Sequence, residues 1–276
     1  TVHAFDYENQ ATEALTLNSL LMYSDTIDES GYGMRFGMNY DPNKFWNTGI
    51  AYYRFDDDLN INDMGYQTRN NLSNFKTFTM YTETDFLTTS KILERTYTLL
   101  FSKKADTHGL QLSQNINLSF KQAFKDTSGF EINVGHGSSG NDDLLTRGSA
   151  LAPFVKLGQG RQFELTYYGK QNKRWSYWAY LSRDRRSFQS FTGSSNTIAL
   201  GGNYYPSDDL KFGIHLGKAN AKNWLNWLGD NRIGAYPLDY FSIRANATWF
   251  PKEKHELRIK FQTNVMETET GAEWLA

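Results

Sequence analysis

The sequence predicts an all-β fold, a transmembrane, antiparallel, up-and-down β-barrel of more than twelve strands. Three observations predict it. Apolar residues recur at every second position through most of the chain. Short turn-forming connections alternate with long ones. The composition joins a mean hydropathy of -0.62 to an aromatic content of 16%, with 17 Tyr, 19 Phe and 7 Trp. A soluble domain this polar has little use for so many rings. A barrel wall reconciles the two values, because alternate residues face lipid and a wet interior. The rings then gather at the two membrane interfaces.

The period-two signal can be followed along the chain. Tyr32, Met34, Phe36 and Met38 alternate with Gly33, Arg35, Gly37 and Asn39. Leu110, Leu112, Gln114, Ile116, Leu118, Phe120, Gln122 and Phe124 fall on even positions, opposite Gln111, Ser113, Asn115, Asn117, Ser119, Lys121 and Ala123. Phe130, Ile132 and Val134 alternate with Glu131 and Asn133, and Phe163, Leu165 and Tyr167 with Glu164 and Thr166. The same holds for Trp175, Tyr177, Ala179 and Leu181, for Leu210 to Leu216, for Phe241 to Trp249 and for Leu257 to Phe261. No helix sorts residues this way. The runs give about thirteen strands, near 12–23, 31–40, 45–55, 71–84, 91–104, 108–124, 129–137, 159–170, 173–187, 193–204, 209–217, 239–250 and 254–266. Each approximates the ~9–11 residues that a tilted strand needs to cross a bilayer.

The connections support this division. Turn formers follow the even-numbered strands: Asp41-Pro42-Asn43-Lys44, Lys125-Asp126-Thr127-Ser128, Gln171-Asn172, Pro206-Ser207-Asp208-Asp209 and Pro251-Lys252-Glu253-Lys254. The long connections, near 56–70, 138–158 and 218–238, all follow odd ones. Short turns on one rim and long loops on the other are the habit of outer-membrane barrels. An odd strand count is unusual for a bacterial barrel, and Glu273-Trp274-Leu275-Ala276 does not read as a closing strand. The expectation is therefore one domain over 1–276, a partial barrel truncated at either or both ends. A soluble antiparallel sandwich also alternates. Two features count against it: fixed charges on the polar face, and rings at strand ends, among them Trp46, Tyr52, Tyr53, Tyr204, Tyr205, Trp249 and Phe250.

The composition removes several function classes. A net charge of -1 and a pI near 6.5 leave no basic excess for nucleic acid. The absence of Cys excludes disulfides, thiol nucleophiles and Cys-based zinc sites. No segment is long and apolar enough for a transmembrane helix. The chain starts within its strand pattern at Thr1 and shows no leader segment, as expected for a mature or truncated piece.

Tyr40-Asp41-Pro42-Asn43-Lys44-Phe45-Trp46 leads into Tyr52-Tyr53-Arg54-Phe55-Asp56-Asp57, then Ile61-Asn62-Asp63-Met64-Gly65-Tyr66-Gln67-Thr68-Arg69-Asn70, and later Asp143-Leu144-Leu145-Thr146-Arg147-Gly148. Together these resemble a family of uncharacterised Gram-negative proteins. The resemblance implies a long β-rich outer-membrane region, usually preceded by a module similar to family 9 carbohydrate-binding domains. That module lies outside this sequence, and no catalytic residue carries over.

Candidate chemistry is sparse. The lumen-facing charges are expected to be Arg35, Lys121, Glu131, Glu164, Arg244, Arg258 and Lys260. Glu131 and Glu164 share one face, which suits paired-carboxylate glycoside hydrolysis but suits charge balance with lumenal Arg and Lys better. Asp56, Asp57, Asp58, Asn62 and Asp63 offer oxygens for Ca²⁺, although a turn-rich loop is the plainer reading. The stretch Gly135 to Asp143 lacks the lysine and helix of a phosphate loop and reads as a loop folded towards the lumen, with Arg147 as an anchor. Ser138 and Ser139 lack a nucleophile context. His3, His108, His136, His215 and His255 have no zinc spacing. Trp224 and Trp227 fall in an expected outer loop, poised for a sugar, a partner, the barrel mouth or the outer leaflet.

Three functions follow as expectations. The first is a channel or export conduit for a polar solute or chain. The second is a plugged barrel serving as a surface scaffold for a binding module or partner protein. The third, a glycan-active enzyme, has the least support. The expected location is the outer membrane of a Gram-negative bacterium. Outer-membrane lipid and lipopolysaccharide are the expected partners, along with a protein partner or the missing N-terminal module. No cofactor, metal or catalytic residue is assigned.

Overall fold

A segment with unlike alternate residues can satisfy its backbone only by pairing with a neighbour of the same kind, and this chain does so throughout. A computed structural model of the chain describes residues 1–26, 29–61, 70–143, 145, 154–172, 174–188, 191–229, 232–252, 255–268 and 272–275; within these, the side chains of 191, 224, 226, 227, 229, 232, 233 and 272–275 are not described. Its strands are β1 (Val2–Thr12), β2 (Leu15–Asp25), β3 (Ser30–Asn43), β4 (Trp46–Phe55), β5 (Leu72–Glu83), β6 (Ile92–Ala105), β7 (Asn115–Phe124) and β8 (Gly129–Gly137), followed by β9 (Gly140–Asp142), β10 (Val155–Tyr168), β11 (Trp175–Phe188), β12 (Phe191–Ser207), β13 (Leu210–Gly229), β14 (Arg232–Lys252), β15 (His255–Thr268) and β16 (Ala272–Leu275). All belong to one antiparallel up-and-down sheet in chain order, except that β9 pairs with β10 and β16 with β14, both off the main path.

All thirteen expected strands are present, although the one expected at 108–124 begins only at Asn115, and Gln111 and Leu112 before it make isolated bridges. β1 is additional. It carries only Phe5 and Tyr7 as large residues on its apolar face, too few to announce a strand in sequence. The main path therefore holds fourteen strands, an even number. The expected outer loop 218–238 is instead a hairpin: β13 and β14 stay paired through Trp224↔Tyr236 and Trp227↔Ile233 to Gly229↔Arg232. A bulge between Ala221 and Trp224 explains the miss, because it breaks the period-two pattern while preserving the ladder. Asn223 takes the left-handed conformation there, with φ 54°. Similarly, β9 and the start of β10 lie within the expected loop 138–158. The last residues do form a strand, but β16 lies along the far end of β14, with Arg232↔Leu275, and does not close the sheet. Among the described residues β1 pairs only with β2 and β15 only with β14, so the sheet has two free edges.

Register gives the sheet two contrasting faces. On one, Trp46, Tyr81, Tyr97, Phe120, Ile132, Leu165, Leu181 and Ile198 stand directly opposite one another across eight strands. This row alone is about 34 Å wide at ~4.8 Å per strand. Many of its neighbours are half exposed, including Leu118, Ile214 and Ile259 at 56%, 53% and 62%. Over the full sheet the apolar face covers on the order of 1,000 Å², beyond the few hundred of a soluble monomer. On the other face, Thr82, Thr96, Lys121, Glu131, Thr166, Tyr180, Ala199, Gly217, Ser242 and Asn264 form a row across ten strands. Only small residues interrupt its polarity.

The polar row also measures the stagger. Lys121 and Glu131 flank the turn at 125–128 closely, whereas Ser242 and Asn264 lie far from Lys252↔His255, the last pair at the near ends of β14 and β15. The row climbs about one residue per strand, which corresponds to a strand tilt of about 35°. Barrels require a tilt and stagger of this order.

The short-turn rim of the apolar face carries a chain of rings. Trp46 meets Tyr81 at 4.8 Å between centroids, Tyr81 meets Tyr97 at 6.3 Å, Tyr97 meets Phe120 at 5.0 Å, and Phe120 meets Phe130 at 5.7 Å. Trp175 stacks on Tyr204 at 4.3 Å farther along. Two turns beneath this girdle are tied together: Thr127 Oγ1 accepts from Gln171 N at 2.8 Å and donates to Gln171 O at 3.2 Å. Within the first turn, the Ser128 hydroxyl and amide both donate to Asp126 Oδ1, at 2.6 and 3.1 Å.

Two measurable consequences follow. A Cβ at Gly201 would lie 2.6 Å from the Trp178 ring, whereas one at Gly160 would meet its nearest atom at 3.6 Å. Gly201→Ala should therefore cost about 1–3 kcal/mol through overpacking, while Gly160→Ala stays within about 0.5 kcal/mol of wild type; urea unfolding in lipid vesicles measures both. The Ser128 hydroxyl, followed by the Ser128 amide, holds the Asp126 carboxyl below its ordinary 3.8. A lowered carboxylate stabilises the fold above the unfolded value, and that contribution is lost as pH falls through the folded value. Ser128→Ala should move the Asp126 titration, followed by carboxyl NMR, back up towards 3.8.

Candidate functional site

Every strand turns alternate side chains to the polar face. Arg35, Lys121, Glu131, Glu164, Arg244, Arg258 and Lys260 all point to it, on β3, β7, β8, β10, β14 and β15. They do not converge on one spot. Arg35 lies in the first third of the sheet, where its guanidinium carbon is 5.5 Å from the Tyr53 ring centre, with Lys76 Nζ 5.4 Å from the same ring. Arg258, at the free edge, is ion-paired with Glu256 on its own strand. Lys260 stands opposite Asn246.

The central charges are neighbours. Lys121 is directly opposite Glu131, and Glu131 in turn is opposite Thr166. Glu164 stands opposite Asn133, which places the two glutamates on a diagonal of adjacent strands, about 7–8 Å apart by ladder geometry. Each has polar donors of its own. Asn133 Nδ2 donates to Glu131 Oε1 at 3.0 Å. Gln162 Nε2 and the Tyr180 hydroxyl donate to Glu164 Oε1 at 2.7 and 3.0 Å.

Next to this group the floor drops away. Gly135, Gly137, Gly160 and Gly193 remove side chains from the polar face of three strands, β8, β10 and β12, leaving a cavity of about 380 Å³ between Asn117, Gln162, Asp184 and Arg186. Arg186 crosses that floor. Its Nη2 lies 3.7 Å from where a Cβ on Gly137 would sit, and its Nε 3.6 Å from one on Gly160. Nη2 donates to Ser113 Oγ at 3.2 Å, while Nε is buried with no partner among the described residues. A third group follows one ladder row: Trp178, Gly201, His215, Arg244 and Gln262. Trp178 leans over Gly201, and its ring is 5.2 Å from that of His215.

Sequence reading found the glutamates and missed Asp184, Arg186, Tyr180 and Trp178. Arg183-Asp184-Arg185-Arg186 is a plain charge run until register shows that Asp184 and Arg186 share the polar face while Arg183 and Arg185 share the other. Trp224 and Trp227 lie in the β13 backbone, and their side chains are among those not described; Arg147 and Asn62-Asp63-Met64-Gly65 lie outside the described residues. Gly135 and Gly137 belong to β8 and not to a loop. Among the described residues no three His, Asp or Glu stand close enough to hold a metal ion.

No curated protein matches the chain. Among solved structures, OmpTdeltaL8 (loop L8 deletion mutant of OmpT), an outer membrane protein of Vibrio cholerae, matches 99% of this chain and 96% of its own at 8% identity and a TM-score of 0.43. In-vitro folded OmpT, an outer membrane protein of Vibrio cholerae, matches 99% and 97% at 10% identity and a TM-score of 0.35. The family described as Domain of unknown function (DUF5916) matches residues 2–266, and the chain belongs to that family.

Proposed function

We propose that the chain forms the wall of an outer-membrane β-barrel in a Gram-negative bacterium and acts as a conduit for a polar solute or chain. The observation that carries this reading is the contrast of faces. Ten strands contribute one polar row while eight strands contribute one apolar row on the opposite side. Hydrocarbon tolerates no unpaired backbone, so in the bilayer the free edges of β1 and β15 must find strand partners, either each other or further strands. The aromatic, short-turn rim is then periplasmic and the extended β13–β14 hairpin extracellular.

One feature favours a plugged scaffold as a second reading. The segment after β4 folds onto the polar face of β2 and β3. Leu59 is fully buried there, Asn60 N donates to Ser24 Oγ at 2.9 Å, and Asp56 Oδ2 accepts from Tyr32 N at 2.6 Å. A partner protein or a binding module would then be the functional element.

A planar bilayer separates the two. A conduit conducts, and Glu164→Gln lowers its preference for cations over anions, because a fixed charge acts on ions within a Debye length of about 8 Å. A scaffold stays silent and retains a partner through purification. A conducting protein whose ion preference ignores Glu164 contradicts the assignment of that face to the solute path.

A further inference from the structure

The apolar face ends in an unbalanced charge. On β10 and β11 three of the four residues in the next two same-face pairs beyond the apolar row are cationic. Phe163 stands opposite Arg183, and Arg161 opposite Arg185. On the next strands Ile198 stands opposite Lys218. All four cations are exposed and have no hydrogen bond or ion pair among the described residues. The acid beside them, Asp239, already accepts from Asn220 Nδ2 at 2.5 Å. Like charges directly opposite one another in a ladder are destabilising, so this arrangement calls for a bound anion.

Height identifies the anion. From Trp175 on the girdle to Arg185 on the same strand is ten residues of β11. At ~3.3 Å per residue and a tilt near 35–40°, that is about 25 Å along the membrane normal, the height of an outward apolar band. The cations therefore sit where acyl chains give way to headgroups, on the rim opposite the short turns. A guanidinium pair opposite one another offers the forked donors that phosphate oxygens accept.

Resting on the outer-membrane reading above, we propose that Arg161, Arg183, Arg185 and Lys218 bind the phosphates of an outer-leaflet glycolipid of the lipid A type. Its acyl chains lie over Phe163, Leu165, Leu181 and Ile198 below. Phosphate contacts and apolar contacts then come from one molecule, which neither a free phosphate nor a neutral lipid supplies.

The test is native mass spectrometry of the full chain in non-ionic detergent, titrated with bis-phosphorylated lipid A. The comparison probes are the same glycolipid without phosphates, phosphatidylglycerol and inorganic phosphate. The expected result is retention of lipid A by wild type, at least tenfold weaker retention by R161A/R183A/R185A, and little retention of the other three probes. Heat-modifiable migration on a gel reports folding. If the alanine variant loses it, the triple glutamine variant, which keeps the aliphatic stems, replaces it. The proposal is overturned by equal retention in wild type and folded variant, by equal retention of the dephosphorylated glycolipid or phosphatidylglycerol, or by displacement of lipid A with equimolar inorganic phosphate. A chain that folds in water without detergent overturns the outer-membrane reading itself, whereas a detergent-requiring, heat-modifiable protein that ignores lipid A overturns only the patch.

Discussion

Backbone pairing between adjacent strands fixes where every side chain of this sheet can point. Each strand of the main path pairs with its path neighbour on both sides, save at the ends β1 and β15, and that pairing is what satisfies the main chain of the sheet. Because side chains alternate strictly along a strand, one slip in register would send every apolar residue of that strand to the polar face. The register observed avoids this over the whole path. Bulges are confined to strand ends and to the outer hairpin, as at Asn43, Leu157, Tyr204 and Ala221.

The stagger of the same ladder links architecture to site. A climb of about one residue per strand tilts the strands by about 35°. It also offsets the rows so that Lys121, Glu131, Glu164 and Asp184 fall near mid-sheet on the polar side. The apolar side follows the same slope, from Trp46 beside a turn to Ile198 below Lys218. The aromatic girdle, the apolar band, the cationic rim and the glycine-floored cavity are thus four readings of one register. Glycine contributes by subtraction: the polar face is bare at Gly137 and Gly160, where Arg186 crosses towards Ser113.

Much of this was legible in the sequence because period two is a local signal. Thirteen strands, the parity of their turns and the seven polar-face charges needed only neighbours in the chain. What escaped needed partners from elsewhere. β1 has two large apolar residues and is recognisable only beside β2. The outer half of the β13–β14 hairpin hid behind a bulge at Asn223 that shifts the alternation by one residue. The charge run from Arg183 to Arg186 divides between faces, two residues to each, only once β11 is set against β10 and β12. Its two halves then have unrelated surroundings, a cavity on one side and an apolar band on the other.

One face of the sheet is assigned to lipid and the other to water. Since the chain contains no Cys, single cysteines can be placed at Leu165, Leu181 and Ile198, and separately at Thr166, Ser182 and Thr197. Each is labelled with a fluorophore in protein folded into vesicles. The expected result is strict alternation: a quencher carried on lipid chains dims the first three labels, and a water-borne quencher dims the second three. Equal quenching of both sets from water, or labels that ignore the lipid quencher altogether, would contradict the assignment of the two faces.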